Sequence, residues 1–297
     1  MSKFRLNWAR RCGEQKAAEY DFTIFPIDPF AIAAKEDIHV EAKPPDMDGV
    51  SGGIIFSDEN VGIFYSTKID NHGFQRFTVA HELGHYFLEG HPEQILSTAP
   101  IHISRAGFTE GGSSIEIEAD HFASGLLLPS RLVSQALNSQ QIGLTGIVAL
   151  SDLSECSLTA CAIRAAECSP YPMAIVVSRG DSICYGFLSD GFKKLGRMSF
   201  PRKGAKLPNS ATRDFNSDPE NVSDGRQLCS QTTLDSWFDG PVGIDLDEEI
   251  AGLGSYGFTL SVFSSEELPA GPEDDEDDED NEVALIESYT PKFALGR

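Results

Sequence analysis

The segment Phe77-Thr-Val-Ala-His-Glu-Leu-Gly-His-Tyr-Phe-Leu-Glu-Gly-His91 contains the residues best suited to chemistry, His81-Glu-Leu-Gly-His85. Two histidines four positions apart on a helix lie about 40° apart around its axis, so both imidazoles reach one ion, and Glu82 leans over the same face. Neutral imidazole nitrogens suit zinc. With a third protein ligand, an open fourth position carries a water whose pKa falls to about 7. Glu82 takes the proton from that water as it attacks a carbonyl, and delivers it to the leaving amine. The chemistry is peptide-bond hydrolysis. Without further support, the same two histidines would be ordinary residues of an amphipathic helix.

A third ligand is offered by Ser114-Ile-Glu-Ile-Glu-Ala-Asp-His-Phe-Ala-Ser-Gly-Leu-Leu-Leu-Pro129. Glu116 and Asp120 are one helical turn apart, the gluzincin arrangement: Glu116 binds the metal and Asp120 accepts a hydrogen bond from the far nitrogen of a ligating histidine, fixing its tautomer. Glu118 falls on the opposite side of that helix and is the weaker choice. The rival ligand is His91, at the metzincin spacing H-E-x-x-H-x-x-G-x-x-H. That pattern needs glycine where Leu88 stands, because the helix must break there, so Glu116 is preferred. His39, His72, His102 and His121 read as surface or loop histidines, with His102, His121 and Tyr65 left as alternatives for stabilising an oxyanion.

These residues need a scaffold. Residues 2 to 20 have helical apolar spacing at Phe4, Trp8, Cys12 and Ala17/Ala18, and a short helix is expected after Pro26-Ile-Asp-Pro29. Ile38-His-Val40 reads as a strand, and Gly53–Phe56 with Val61–Tyr65 as a hairpin. The motif helix is expected from Asn71, a capping residue, to about Glu89. Residues 93 to 114 read as an exposed loop, 114 to 128 as a helix stopped by Pro129, and 130 to 168 as further helices. Beyond Pro170 a hairpin, Met173–Ser178 with Ile183–Leu188, and a strand at Phe258–Phe263 are expected, interrupted by a long loop over 200 to 226.

Composition narrows the function. The chain has 297 residues, with 23 Lys and Arg against 46 Asp and Glu, a formal net charge of −23. Nine of the acids lie between Glu273 and Glu282, and the remainder still carries −14. Phosphate binding runs on clustered Lys and Arg, so neither direct nucleic-acid binding nor an anionic membrane surface is expected. Residues 144 to 166 have the shape of a helix-turn-helix, but its second helix offers only Arg164 as a cation, between Glu155 and Glu167, so packing or protein contact is the better reading. No run approaches the length of a membrane span and no signal peptide opens the chain, which predicts a cytoplasmic protein. Six cysteines without a C-x-x-C pair read as small buried hydrophobes.

Arg76-Phe-Thr-Val-Ala-His-Glu-Leu-Gly-His-Tyr-Phe-Leu88 followed by Glu116-Ile-Glu-Ala-Asp-His-Phe-Ala-Ser-Gly-Leu-Leu-Leu-Pro129 resembles the ImmA/IrrE family of bacterial zinc metallopeptidases, over about residues 20 to 170. The resemblance implies His81, His85 and Glu116 as ligands of Zn2+, Glu82 as the catalytic glutamate, and a helix-turn-helix transcriptional repressor of a stress response or mobile element as the protein substrate. Many relatives carry an N-terminal helix-turn-helix domain, for which the residues before Pro26 are too few. The expected architecture is α+β: an N-terminal helix (1–25), a zincin-like metallopeptidase domain of helices and a small antiparallel sheet (26–170, with the helix-turn-helix-like part at 130–168), a smaller sheet-containing domain (171–265) and an acidic, disordered tail (266–297). The competing function is a catalytically silent protein that binds and sequesters a transcription factor. Oligomeric state is not specified by the sequence.

Overall fold

The computed structural model describes residues 3–43, 50–57, 60–68, 71–105 and 114–265. The expected acidic tail lies outside the described residues. Among the described residues the chain divides into two compact units, the first built from those up to Leu132 together with Ser151–Ala160, the second from Val133–Leu150 and residues 161–265.

In the first unit, α1 (Lys3–Glu19), α2 (Pro29–Lys35), α3 (His72–Phe87), α4 (His91–Leu96) and α5 (Ser114–Leu127) surround a four-stranded sheet. Its strands are β1 (His39–Lys43), β2 (Val50–Phe56), β3 (Val61–Ser66) and β4 (Ile101–Arg105), in the order β1-β3-β2-β4. The β2–β3 hairpin is antiparallel in the register Ile54 opposite Ile63, as the alternation predicts. The sheet is mixed rather than wholly antiparallel, because β1 adds to the outer edge of β3 in parallel. Ile27, Ile32, Ile54, Ile63, Val79, Leu83, Phe122 and Leu126 are buried in one core between sheet and helices.

The N-terminal helix is part of this unit and not an appendage to it. Its buried face is Leu6, Ala9, Gly13 and Ala17, displaced from the expected stripe, with Trp8 and Cys12 only partly buried. The reason is size: small residues form the seam against α5, and the larger ones lie along its margins. A Cβ on Gly13 would stand 2.6 Å from the Leu126 nitrogen, and one on Gly125 2.9 Å from the Arg10 carbonyl carbon. The two backbones touch there, which only glycine permits.

Residues 93–114 do not form one exposed loop. They contain the end of α4 and all of β4, which pairs with β2 through Gly53 opposite Ile103 and Ile54 opposite His102. The Ser- and Thr-rich flanks conceal a short alternating strand, Ile101-His-Ile-Ser104.

Three more helices, α6 (Ser130–Leu137), α7 (Leu144–Ser154) and α8 (Leu158–Cys168), fill the region expected to be helical. The compact units share this region between them, where the sequence alone groups it with the metallopeptidase domain. Side-chain contacts explain the division. Buried Arg76 donates to the carbonyls of Ser154 and Ile27 and to Glu155, tying 154–155 to α3, while Glu249 accepts from the Leu144 N–H at 2.8 Å, tying the start of α7 to the second unit. Arg164 is buried and paired with Glu167, so the sole cation of the would-be recognition helix is spent on packing.

The second unit carries a five-stranded antiparallel sheet in the order β6-β5-β9-β8-β7. Its elements are β5 (Met173–Arg179), β6 (Ser182–Leu188), α9 (Asp190–Lys193), α10 (Ala211–Asn216), α11 (Pro219–Ser223), β7 (Gln227–Thr233), α12 (Leu234–Phe238), β8 (Asp245–Gly252) and β9 (Thr259–Ser264). The stretch 200–226 thus holds two short helices where a loop is expected. Ser210 and Asp218 cap them, accepting from Arg213 N and Glu220 N. Aromatic packing of Phe192, Trp237, Phe238 and Phe263 centres the core. Cys229, on edge strand β7, is exposed rather than buried. Among the described residues no single helix is long and apolar enough to cross a membrane.

Candidate metal centre

Helix α3 starts where Asn71 caps it, its side chain accepting from the Phe74 N–H at 2.9 Å. The helix runs beside α5, and Gly84 sets the spacing: a Cβ there would lie 3.1 Å from the Ala119 Cα and 3.2 Å from Phe122. That close approach brings His81 and His85 on α3 to Glu116 and Asp120 on α5. The Nε2 atoms of His81 and His85 are 3.1 Å apart, His81 Nε2 is 3.5 Å from Glu116 Oε2, and His85 Nε2 is 3.3 Å from Glu116 Oε1.

Donors held about 2.0–2.1 Å from one tetrahedral ion stand roughly 3.3 Å from each other along the tetrahedron's edges. The three separations match that edge, and the three residues form a group able to hold a metal ion. The donor set of two imidazoles and one carboxylate fits Zn2+ among the borderline divalent ions. Asp120 Oδ1 accepts from His81 Nδ1 at 2.8 Å, and His81 Nε2 faces Glu116.

Glu82 is wholly buried, and among the described residues neither of its carboxylate oxygens has a hydrogen-bond partner. Burial pushes its carboxyl up to about 7, against the opposing pull of His81, Ser104 and His102. Burial drives His85 down to about 3, so its imidazole is neutral and free to ligate. For Glu116, burial is outweighed by contacts with His102, His81 and His85, which hold the carboxyl well below the usual carboxylate range. Burial likewise lowers His81, but its hydrogen bonds to Asp120 and Glu116 prevail and leave it well above the ordinary imidazole value.

Strand β4 brings a residue that sequence reasoning had placed on the surface. His102 Nε2 lies 2.8 Å from Glu116 Oε1, and its ring is 4.5 Å from that of His85. The alternation of Ile101 and Ile103 about it was the available signal. Tyr65 packs edge-on against Phe30, 5.4 Å between ring centroids, and His121 is half-buried on α5. His91, the rival ligand, lies behind His85: its Nδ1 is 3.2 Å from the far nitrogen, Nδ1, of that histidine. Glu118 is buried as well and accepts two hydrogen bonds from Arg5, at 2.9 and 2.7 Å.

Residues 34–160 match the family model described as the IrrE N-terminal-like domain of the M78 peptidases. This stretch is similar to an IrrE-type domain. The resemblance drawn from the two motifs is thereby borne out, and the matched stretch contains every residue of the candidate centre. The α+β fold is likewise as expected, with a separate sheet-rich region following the IrrE-type domain. A solved structure described as a Mycobacterium tuberculosis transcriptional regulator is similar at a TM-score of 0.54 and 15% identity, over 86% of this chain and 76% of that one. At that identity the likeness concerns the fold alone. No curated protein shows a significant match to the chain.

Proposed function

We propose that the chain is a zinc-dependent endopeptidase in which His81, His85 and Glu116 hold the metal, Glu82 is the proton-transferring base, and Asp120 orients His81. The observation that carries this reading is the convergence of three ligand atoms within 4.8 Å of one another beside the wholly buried carboxylate of Glu82. A zinc ion bound there supplies Lewis acidity, lowering the pKa of water and polarising a peptide carbonyl. Glu82 does the proton work. A carboxyl near pH 7 in its affinity accepts a proton at one step and releases it at the next, which matches the demand of amide hydrolysis. Asp120 holds one tautomer of His81, and His102 presents an imidazole from β4 on the side of Glu116, where it serves as the oxyanion partner.

The substrate is a DNA-binding repressor of the helix-turn-helix class. Two considerations support this: the substrate class implied by the family resemblance, and a body acidic enough to attract a basic DNA-reading surface. A cytoplasmic location follows from such a substrate. The likeness in fold to a protein described as a transcriptional regulator favours a second reading, a silent chain that sequesters a transcription factor.

One experiment separates the two. Purified chain is assayed for zinc, and a candidate helix-turn-helix repressor is co-expressed with the wild type or with Glu82→Gln. The peptidase reading expects zinc near one per chain, cleavage by the wild type, and an intact bound repressor with Glu82→Gln. An uncut repressor bound equally by both chains, with zinc present, establishes sequestration instead.

A further inference from the structure

The second ligand histidine has a support of its own, running from the motif helix to the N-terminal helix. His85 turns Nε2 toward Glu116, and its Nδ1 lies 3.2 Å from His91 Nδ1. His91 Nε2 is in turn 3.3 Å from Glu118 Oε2, and Glu118 accepts from Arg5 Nε and Nη2. The side chains of His85, His91 and Glu118 are 0%, 1% and 2% exposed, so water does not reach them to complete their hydrogen bonds.

In such surroundings the polarity of the chain is determined. A histidine that ligates through Nε2 carries its proton on Nδ1. His85 Nδ1–H therefore donates to the lone pair of His91 Nδ1. His91 then carries its own proton on Nε2 and donates it to Glu118, whose negative charge Arg5 balances. Each buried group is satisfied in this arrangement, and reversing one donor breaks the next link.

We infer that His91, Glu118 and Arg5 form a positioning relay that fixes the tautomer and ring orientation of His85, with Glu118 as the anchoring carboxylate and His91 as an inserted imidazole. This rests on His85 being a metal ligand, as proposed above. It is the counterpart of Asp120 on His81, longer by one ring. It also gives α1 a role in the site: Arg5, stacked 5.0 Å over the Trp8 ring, closes the chain of bonds from outside the motif helices.

The test measures Zn2+ affinity of the full metal-free chain against a competing chelator, together with the visible absorption of the Co2+-loaded chain. His91→Phe keeps the bulk but loses both polar atoms. It is expected to weaken Zn2+ binding about 10–100-fold and to shift the Co2+ bands. His91→Gln, whose amide offers one acceptor and one donor, is expected to recover most of that loss. Glu118→Gln, which removes the anchoring charge with little change of shape, is expected to fall between them and stands in if His91→Phe does not fold. Wild-type affinity in His91→Phe, or in Glu118→Gln where the former is unfolded, overturns the relay while leaving the metal centre intact. A wild-type chain that takes up neither ion overturns the metal reading and the relay with it.

Discussion

Gly125→Ala is the sharpest test of how the scaffold is assembled, because two effects of known size oppose each other. In a helix interior the exchange favours alanine by about 0.8–1.0 kcal/mol. Against this, the new Cβ would press on the Arg10 carbonyl of α1, 2.9 Å from its carbon and 3.1 Å from its Cα. These are backbone atoms that no rotamer change removes, so α1 must retreat as a body, and overpacking of this kind costs about 1–3 kcal/mol. Taking the upper end for a backbone clash, the net destabilisation is about 2 kcal/mol. Gly13→Ala meets the same seam from the other side, 2.6 Å from Leu126 N. Once one methyl has parted the helices the second has less to displace, so the double variant is expected to lose about 1 kcal/mol less than the two single losses combined. The chain has two tryptophans, Trp8 on α1 and Trp237 in the second unit, so a Trp237→Phe background makes urea unfolding at Trp8 a local probe. A midpoint for Gly125→Ala equal to or above that of the parent would show that propensity prevails and that the helices do not touch. Strict additivity would show that the two glycines do not share one seam.

Other perturbations address the site. Asp120→Ala frees the His81 tautomer and is expected to weaken zinc binding about 10–100-fold in a chelator titration; an unchanged constant would remove Asp120 from the metal's support. Glu82 gives a pH signature in the metal-free chain. Its carboxyl is raised from 4.5 to about 7, so the folded state holds the proton more tightly, no penalty exists below pH 4.5, and stability is lost as pH rises toward 7. Relative to wild type, Glu82→Gln is expected to be matched in stability near pH 4 and more stable by about 3 kcal/mol at pH 8. A difference in thermal unfolding that does not vary with pH contradicts that assignment. Arg76→Met leaves the buried carbonyls of Ile27 and Ser154 without their donor, and about 3 kcal/mol of stability should go with it; an unaltered melting temperature would argue that the latch is slack.

The residues on one continuous helix were legible in the sequence, because spacing in sequence becomes spacing in angle. His81, Glu82 and His85, and then Glu116 with Asp120, fall where helical periodicity puts them. Positions that depend on pairing between distant segments were not legible. Arg5 and Glu118 are 113 residues apart, and no local pattern announces that they meet. His102 was hidden because β4 is a five-residue strand among turn-forming residues, too short to outweigh its flanks. Strands β7 and β8 escaped for a related reason. Gln227-Leu-Cys-Ser-Gln-Thr-Thr233 lies at an exposed edge and needs no apolar face, and β8 buries Glu248 on the same face as Leu246 and Ile250. That acid is tolerated inside because the Thr212 N–H and hydroxyl both donate to it, at 2.8 and 2.7 Å, a partnership only the fold reveals.

Helix α5 acts on both histidines at once. Glu116 and Asp120 reach His81 from one side, and Glu118, half a turn round, reaches His85 through His91 from the other. Each residue of an α-helix adds about 100° of rotation. One residue inserted after Glu116 would leave that ligand in place yet swing Glu118 and Asp120 away together, withdrawing both buttresses in a single event. Substitutions dismantle this centre gradually, whereas a shift of reading along α5 would dismantle it at a stroke.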